Sequence, residues 1–560
     1  MSTMQFDTIL NVGVIEYFAN IMAGWRIYGR LCRFAFIASR RRADGSEVPV
    51  GPPRPWRLEH VERSSREGKL VEELEKTNEM CYDRGIRHEM DISGHLEIVS
   101  DCASDKNCVL GLVKAGVISV IFSLDCYDDV EWLSRQLIEE AVRIAWKISE
   151  VDECVALAVQ DGIIEHVIEA CDTYMESEGI QVAAVCVLSH LARHRELRSQ
   201  LAERGLITRI GMGLAKHADN GNMLHACVHT CNSICDSPEY MEALMEKEVY
   251  APISFAMQRQ RMSESSVLRG CSGLRSLATD EEVCAVLASR GALGTLNAAI
   301  QTHIESETVV PECCETLQQL AQGVDCQGMI LFSGTGKVVL QAIQKNISSS
   351  DIAESGCMLL REPWQSADDK LKLMETDLNV LLEVLRERGP SSGAVSAAAV
   401  SVLHVLAQPI QAKVSLMASG AGLLILETMR AHMDDEEVVL ASSRALAELS
   451  QIEANQVMLL AAGVSDLLMK AVGEHKDSME VIQLCTQVAA QISGPDTNKE
   501  KLLADGWGAL LTDLMKTCSS DSDVVESVTR AMDNLGIKKS SNAKKKTAAR
   551  QTRKRARNSG

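Results

Sequence analysis

A short motif recurs along this chain at a fixed interval of 43 residues, and that interval limits the possible fold more than any other property. The motif is an apolar residue, two variable positions, Leu or Ile, then a small residue, as in Leu188-Ser189-His190-Leu191-Ala192, with the same frame starting at Leu274, Leu317, Leu403 and Leu446. Its second variable position falls at Lys147, His190, Ser233, Ser276, Gln319, Glu362, Val405, Glu448, Gln491 and Asn534. A second column lies 15 residues further on, at Gly162, Gly205, Glu248, Gly291, Gly334, Asp377, Gly420, Gly463 and Gly506. One step earlier, Gly116 stands 15 residues after Asp101, reached by a step of 46. Periods of this size belong to stacked repeat units, each burying its apolar face against its neighbours.

Each unit reads as three helices. A short amphipathic segment such as Ala454–Leu460 is broken at the glycine column, where a residue without a Cβ can turn the chain sharply. An apolar run such as Leu423-Leu424-Ile425-Leu426 follows, then a polar loop such as Asp434–Glu437, then an Ala/Ser-rich third helix that leads back to the motif. No alternation of period two recurs. The expected product is an elongated superhelix with one concave wall.

The order helix, glycine turn, apolar helix, loop and third helix in about 43 residues resembles the armadillo repeat. HEAT repeats overlap in length, but their recurrent proline and inter-repeat Asp/Arg positions are not found. The resemblance implies an all-α, right-handed superhelical solenoid of about ten three-helix units, with third helices lining the groove. It points to an intracellular, non-enzymatic interaction scaffold or adaptor. The groove candidates it implies are Lys147, His190, His229, Ser272, Glu315, Gln319, Arg444, Glu448 and Gln487. Importin-α-like members clamp an extended peptide with an Asn immediately before the motif's Leu/Ile and a Trp four positions earlier. Only Asn534 matches the first position, and the second holds Arg143, Cys186, His229, Ser272, Glu315, Met358, Ser401, Arg444, Gln487 and Arg530. Nuclear-import cargo reading by that ladder is therefore not expected, and a transport adaptor stands only as an alternative.

Two features interrupt the frame. Pro363 replaces the motif's Leu/Ile and should end its third helix early, and Asp377 replaces the turn glycine, so a bend or weak junction is expected near 355–380. At the other end, Gly13–Phe18 resembles Gly162–Val167, which suggests a partial unit over 1–23. Residues 24–84 then read as an insertion or a disordered segment, containing Gly51-Pro52-Pro53-Arg54-Pro55, with Arg26, Arg30 and Arg33 beside Ile27, Leu31 and Phe34. The repeat solenoid is assigned to 85–537.

Charge is partitioned. Residues 85–537 hold 34 basic and 65 acidic side chains, a net of −31, whereas 538–560 hold ten basic residues and no acid. An acidic body repels nucleic-acid backbone and attracts cationic protein surfaces, so a partner with a basic, extended segment and salt-sensitive binding is expected. The tail clusters Lys538-Lys539, Lys544-Lys545-Lys546 and Arg553-Lys554-Arg555 with Arg557 resemble a bipartite nuclear localisation signal open to importin recognition, which points to nucleus and/or cytoplasm. Chromatin or RNA association through the tail is the alternative.

The composition, 46% hydrophobic with 4% aromatic, excludes disorder over most of the length. Nineteen unclustered cysteines without a secretory leader read as reduced thiols. No run of about 18 apolar residues offers a membrane span. The set His225, Cys227, His229, Cys231 and Cys235 has metal-like density, but its cysteines fall in columns occupied elsewhere by Ala184, Leu188 and Ala192, so they read as core and no metal is assigned. Ser333-Gly334-Thr335-Gly336-Lys337 lacks the first glycine and the final hydroxyl of a phosphate loop. No catalytic constellation or cofactor motif is present.

Overall fold

The computed structural model describes residues 68–72, 74–76, 89–123, 131–236, 238–361 and 367–537. The partial unit over 1–23, most of the insertion and the tail 538–560 lie outside the described residues. The described residues are helical throughout, without a strand. The chain divides into two compact units, Met1–Gln260 and Arg261–Gly560.

In the first unit the repeating order is clearest over Asp152–Gln160, Ile163–Thr173 and Glu178–Ala192, and again over Arg195–Glu203, Leu206–Lys216 and Gly221–Ile234. In the second it runs through Glu281–Ser289, Ala292–Thr302 and Val309–Leu320, and on to Asp496–Asp505, Trp507–Thr517 and Ser522–Asn534. The glycine column makes the bend between the first and second helices. Gly162, Gly205, Gly291, Gly334, Gly420, Gly463 and Gly506 all have φ between 77° and 107°, a region that costs an L side chain roughly 1–2 kcal/mol. The resulting angle is 66° at Gly291, 73° at Gly420 and 74° at Gly463.

The two exceptions in that column resolve in opposite ways. Glu248 makes the turn regardless, with φ 51°, and is the one non-glycine residue with positive φ among those described. At Asp377 the turn disappears: Ala367–Glu387 is a single helix of 21 residues, the first and second helices joined end to end. Where a weak junction is expected at this position, the first and second helices are fused across 377. The preceding third helix is described from Ser350 to Arg361, and Pro363 lies outside the described residues.

A column of polar residues starts the third helices. Asn220, Ser263, Ser392, Asp435, Ser478 and Asp521, in register at multiples of 43, each accept a backbone N–H of the following turn, satisfying donors that would otherwise lack partners. Third helices then pack on their successors within each unit, for instance Val309–Leu320 on Ser350–Arg361 and Met479–Ile492 on Ser522–Asn534. The motif supplies this core: Leu188, Leu191, Leu274, Leu277, Leu317 and Leu320 are all fully buried, each contributing about 1.5–3 kcal/mol. No described helix is long and apolar enough to cross a membrane.

At six positions a further contact ties a repeat to the one before it. At the end of the second helices, His217 Nε2 lies 3.1 Å from the carbonyl oxygen of Met175, His303 Nε2 2.6 Å from that of Arg261, and His475 Nε2 2.8 Å from that of Met433. Asn346 Nδ2 donates to Ile304 at 2.6 Å, His432 Nε2 sits 2.6 Å from the carbonyl of Gly389, and Gln260 donates to Ala218. These positions form another 43-residue column.

Candidate protein-binding surface

The second variable position of the motif turns out to serve the stack. Lys147 Nζ donates to the carbonyl and hydroxyl oxygens of Ser100 at 2.9 and 2.8 Å, Gln319 Nε2 to the carbonyl of Ala278 at 3.0 Å, and Asn534 Nδ2 to that of Ala490 at 2.8 Å. Ser450 Oγ donates to Gln491 at 2.5 Å. Glu448 accepts from the buried Lys413 ammonium at 2.5 Å. The residues picked from this column are half-buried, their polar atoms committed to neighbouring helices.

Four positions earlier, the side chains are less uniform. His229 Nδ1 lies 2.7 Å from Ser189 Oγ, and beside it His190, which belongs to the motif column, has Nδ1 3.1 Å from Ser149 Oγ. The His190 and His229 rings meet edge-on at 6.0 Å. Burial and the nearby Arg193 push the His190 imidazole down to about 4, and burial lowers His229 as well. Arg444 is exposed and paired with Glu480, while Gln487 is half-buried.

Ser272 and Glu315 lie together, lining a groove of about 740 Å³ across the three successive third helices Glu264–Leu277, Val309–Leu320 and Ser350–Arg361. The groove lies wholly within the second compact unit. Its lining keeps the repeat register: Leu268, Pro311 and Glu354 share one column, and Ser272, Glu315 and Met358 another. Half-buried Leu268, Pro311 and Met358 supply apolar surface, and exposed Glu307, Glu315 and Asp351 stand with half-buried Glu312 and Glu354. Arg275 is the single cationic lining residue, with its guanidinium 2.7 Å from Glu312 and 2.6 Å from Glu315. Five carboxylates thus face one guanidinium over an apolar base. Only Ser272 and Glu315 of this set follow from the sequence; adding 43 to Ser272 and again to Glu315 leads to Met358, with Glu312 and Glu354 about one helical turn before that column and Glu307 and Asp351 about two.

The other features singled out in the sequence serve packing. Cys227 and Cys231 are fully buried, and the Cys227 thiol points to the carbonyl of Ile210 at 3.6 Å. Burial raises both thiols far above their ordinary value, and raises Cys235 to about 12. Among the described residues no group of three or more His, Cys, Asp or Glu side chains converges as a metal ion requires. At the glycine-rich segment, Gly334 makes the inter-helix turn, and Thr335 sends its hydroxyl inward to Asn297 Oδ1 at 3.0 Å.

No family model matches this chain, and no curated protein matches it either. Solved structures do. An engineered protein solved by the Northeast Structural Genomics Consortium superposes with a TM-score of 0.58 at 16% identity, covering 75% of this chain and 98% of that one. A chain from a study described as "A conserved phosphorylation switch controls the interaction between cadherin and beta-catenin in vitro and in vivo" does so with a TM-score of 0.58 at 14% identity, covering 84% of this chain and 97% of that one. The likeness is one of fold: an all-helical, armadillo-like arrangement.

Proposed function

We propose that the chain is an armadillo-type interaction scaffold without reaction chemistry, and that the groove over Glu264–Leu277, Val309–Leu320 and Ser350–Arg361 holds an extended, basic segment of a protein partner. The observation that carries this reading is the lining itself, apolar at its base with five carboxylates against one guanidinium. Charges arranged this way steer a cationic chain and set its register, while the apolar surface of Leu268, Pro311 and Met358 gives it something to bury. The structural likeness to a chain from a cadherin and beta-catenin study is consistent with a protein as ligand, though not with any particular one. The tail, Lys538 to Arg557, supports entry to the nucleus as a further proposal, tested by moving residues 538–560 onto a cytoplasmic reporter.

Fluorescence anisotropy with a labelled dodecapeptide of alternating lysine and alanine tests the docking reading. Binding should weaken as salt rises, and Glu315→Lys with Asp351→Lys should lower affinity at least tenfold. Equal binding by wild type and the double variant would overturn it.

A further inference from the structure

The same groove has a candidate occupant within its own chain. We propose that residues 538–560 lie in the groove in the absence of a partner, so that a basic ligand must displace the chain's own tail. This rests on the docking reading above.

Two facts point to the tail. The first is complementarity: ten basic side chains and no acid in the tail, against Glu307, Glu312, Glu315, Asp351 and Glu354 in the groove. Among the tail's apolar residues there is only alanine, so it has no core of its own to form. The second is reach. The tail leaves the repeats just after the third helix Ser522–Asn534. From there the packed series of third helices leads back through Met479–Ile492, Glu436–Leu449 and Gly393–Leu406 to Ser350–Arg361 at the groove's edge. Four helix-to-helix steps at roughly 10 Å each make about 40 Å. Twenty-three extended residues span up to about 75 Å, enough to reach the groove and lie along it. A tethered segment of this kind competes at a local concentration in the millimolar range, well above most free ligands.

The test uses full-length chains and one probe, a fluorescent peptide with the sequence of residues 538–560. Three proteins are compared: wild type; a full chain whose ten tail Lys and Arg residues are replaced by Gln; and that chain carrying in addition Glu307→Gln, Glu315→Gln, Asp351→Asn and Glu354→Gln. The tail-neutralised chain should bind the probe at least tenfold more tightly than wild type, and the groove substitutions should abolish the gain. Equal, groove-dependent affinity for the first two proteins would overturn self-occupancy and leave the docking reading intact. Binding that ignores the groove substitutions, or no binding to any protein, would overturn both. A gain that disappears when the protein is diluted to nanomolar concentration would assign the occupant to a second copy and overturn the intramolecular proposal.

Discussion

The ammonium of Lys413, 1% exposed, lies 2.5 Å from Oε2 of Glu448 and 2.7 Å from Oε1 of Gln451. A buried charge left without its partner costs several kcal/mol, whereas an apolar pair of similar volume can be nearly neutral. Glu448→Ala should therefore destabilise the second unit by about 3 kcal/mol, and Lys413→Met with Glu448→Leu should restore most of that. Urea midpoints followed by circular dichroism would measure both. Any loss of ligand binding in a Glu448 variant then has to be separated from loss of folding, although sequence alone places Glu448 on the binding wall.

The turn column offers one substitution with two opposite outcomes. Glu248→Gly relieves a left-handed glutamate at φ 51° and should raise stability by about 1 kcal/mol. Asp377→Gly places glycine inside the continuous helix Ala367–Glu387 and should lower stability by a few tenths of a kcal/mol. Gly420→Ala, where a Cβ meets no atom within 4 Å, should cost about 1–2 kcal/mol through backbone strain alone. Thermal melts of the three variants give the signs directly.

Acid should weaken the first unit through its histidines. The His190 imidazole falls from 6.5 to about 4 in the folded chain because burial, then Arg193 and His229, disfavour its charged form. Below pH 6.5 the unfolded chain takes up a proton that the folded chain does not, so stability falls as pH drops from about 6.5 towards 4 and is fully present above 6.5. His190→Asn should flatten that dependence. Midpoint temperatures between pH 4.5 and 7.5 provide the comparison, and an unchanged slope would contradict it.

Thiol reactivity should follow burial. Cys314, Cys357 and Cys485 are fully buried with thiols raised to about 12, so the nucleophilic thiolate is scarce at pH 8. Alkylation of the native chain followed by peptide mapping should leave these three unmodified until denaturant is added, after the half-exposed Cys102 and Cys108 among the described cysteines have reacted.

Spacing made the repeat, its glycine turns and its leucine core legible, because each is a local rule repeated at a fixed interval. The capping column from Asn220 to Asp521 and the His/Asn/Gln column from His217 to His475 were equally periodic but went unread, since neither is apolar or glycine. Binding residues were harder. The column containing Lys147, Gln319 and Asn534 has polar side chains at surface-like spacing, and only coordinates reveal that they are committed to the preceding repeat. The groove depends on three helices, set 43 residues apart, converging side by side; register predicts its columns, but not that acids accumulate along them. The fusion at Asp377 is visible in the sequence only as a missing glycine, and the same absence at Glu248 leaves the turn in place, so the missing glycine alone does not foretell the outcome.

The links at the ends of the second helices all terminate on peptide oxygens, those of Met175, Ala218, Arg261, Ile304, Gly389 and Met433. Residues of five different types therefore present the same acceptor. Such a joint places no demand on the identity of the residue that receives it, so one repeat can drift in sequence, or be exchanged for another, without its neighbour having to change in step.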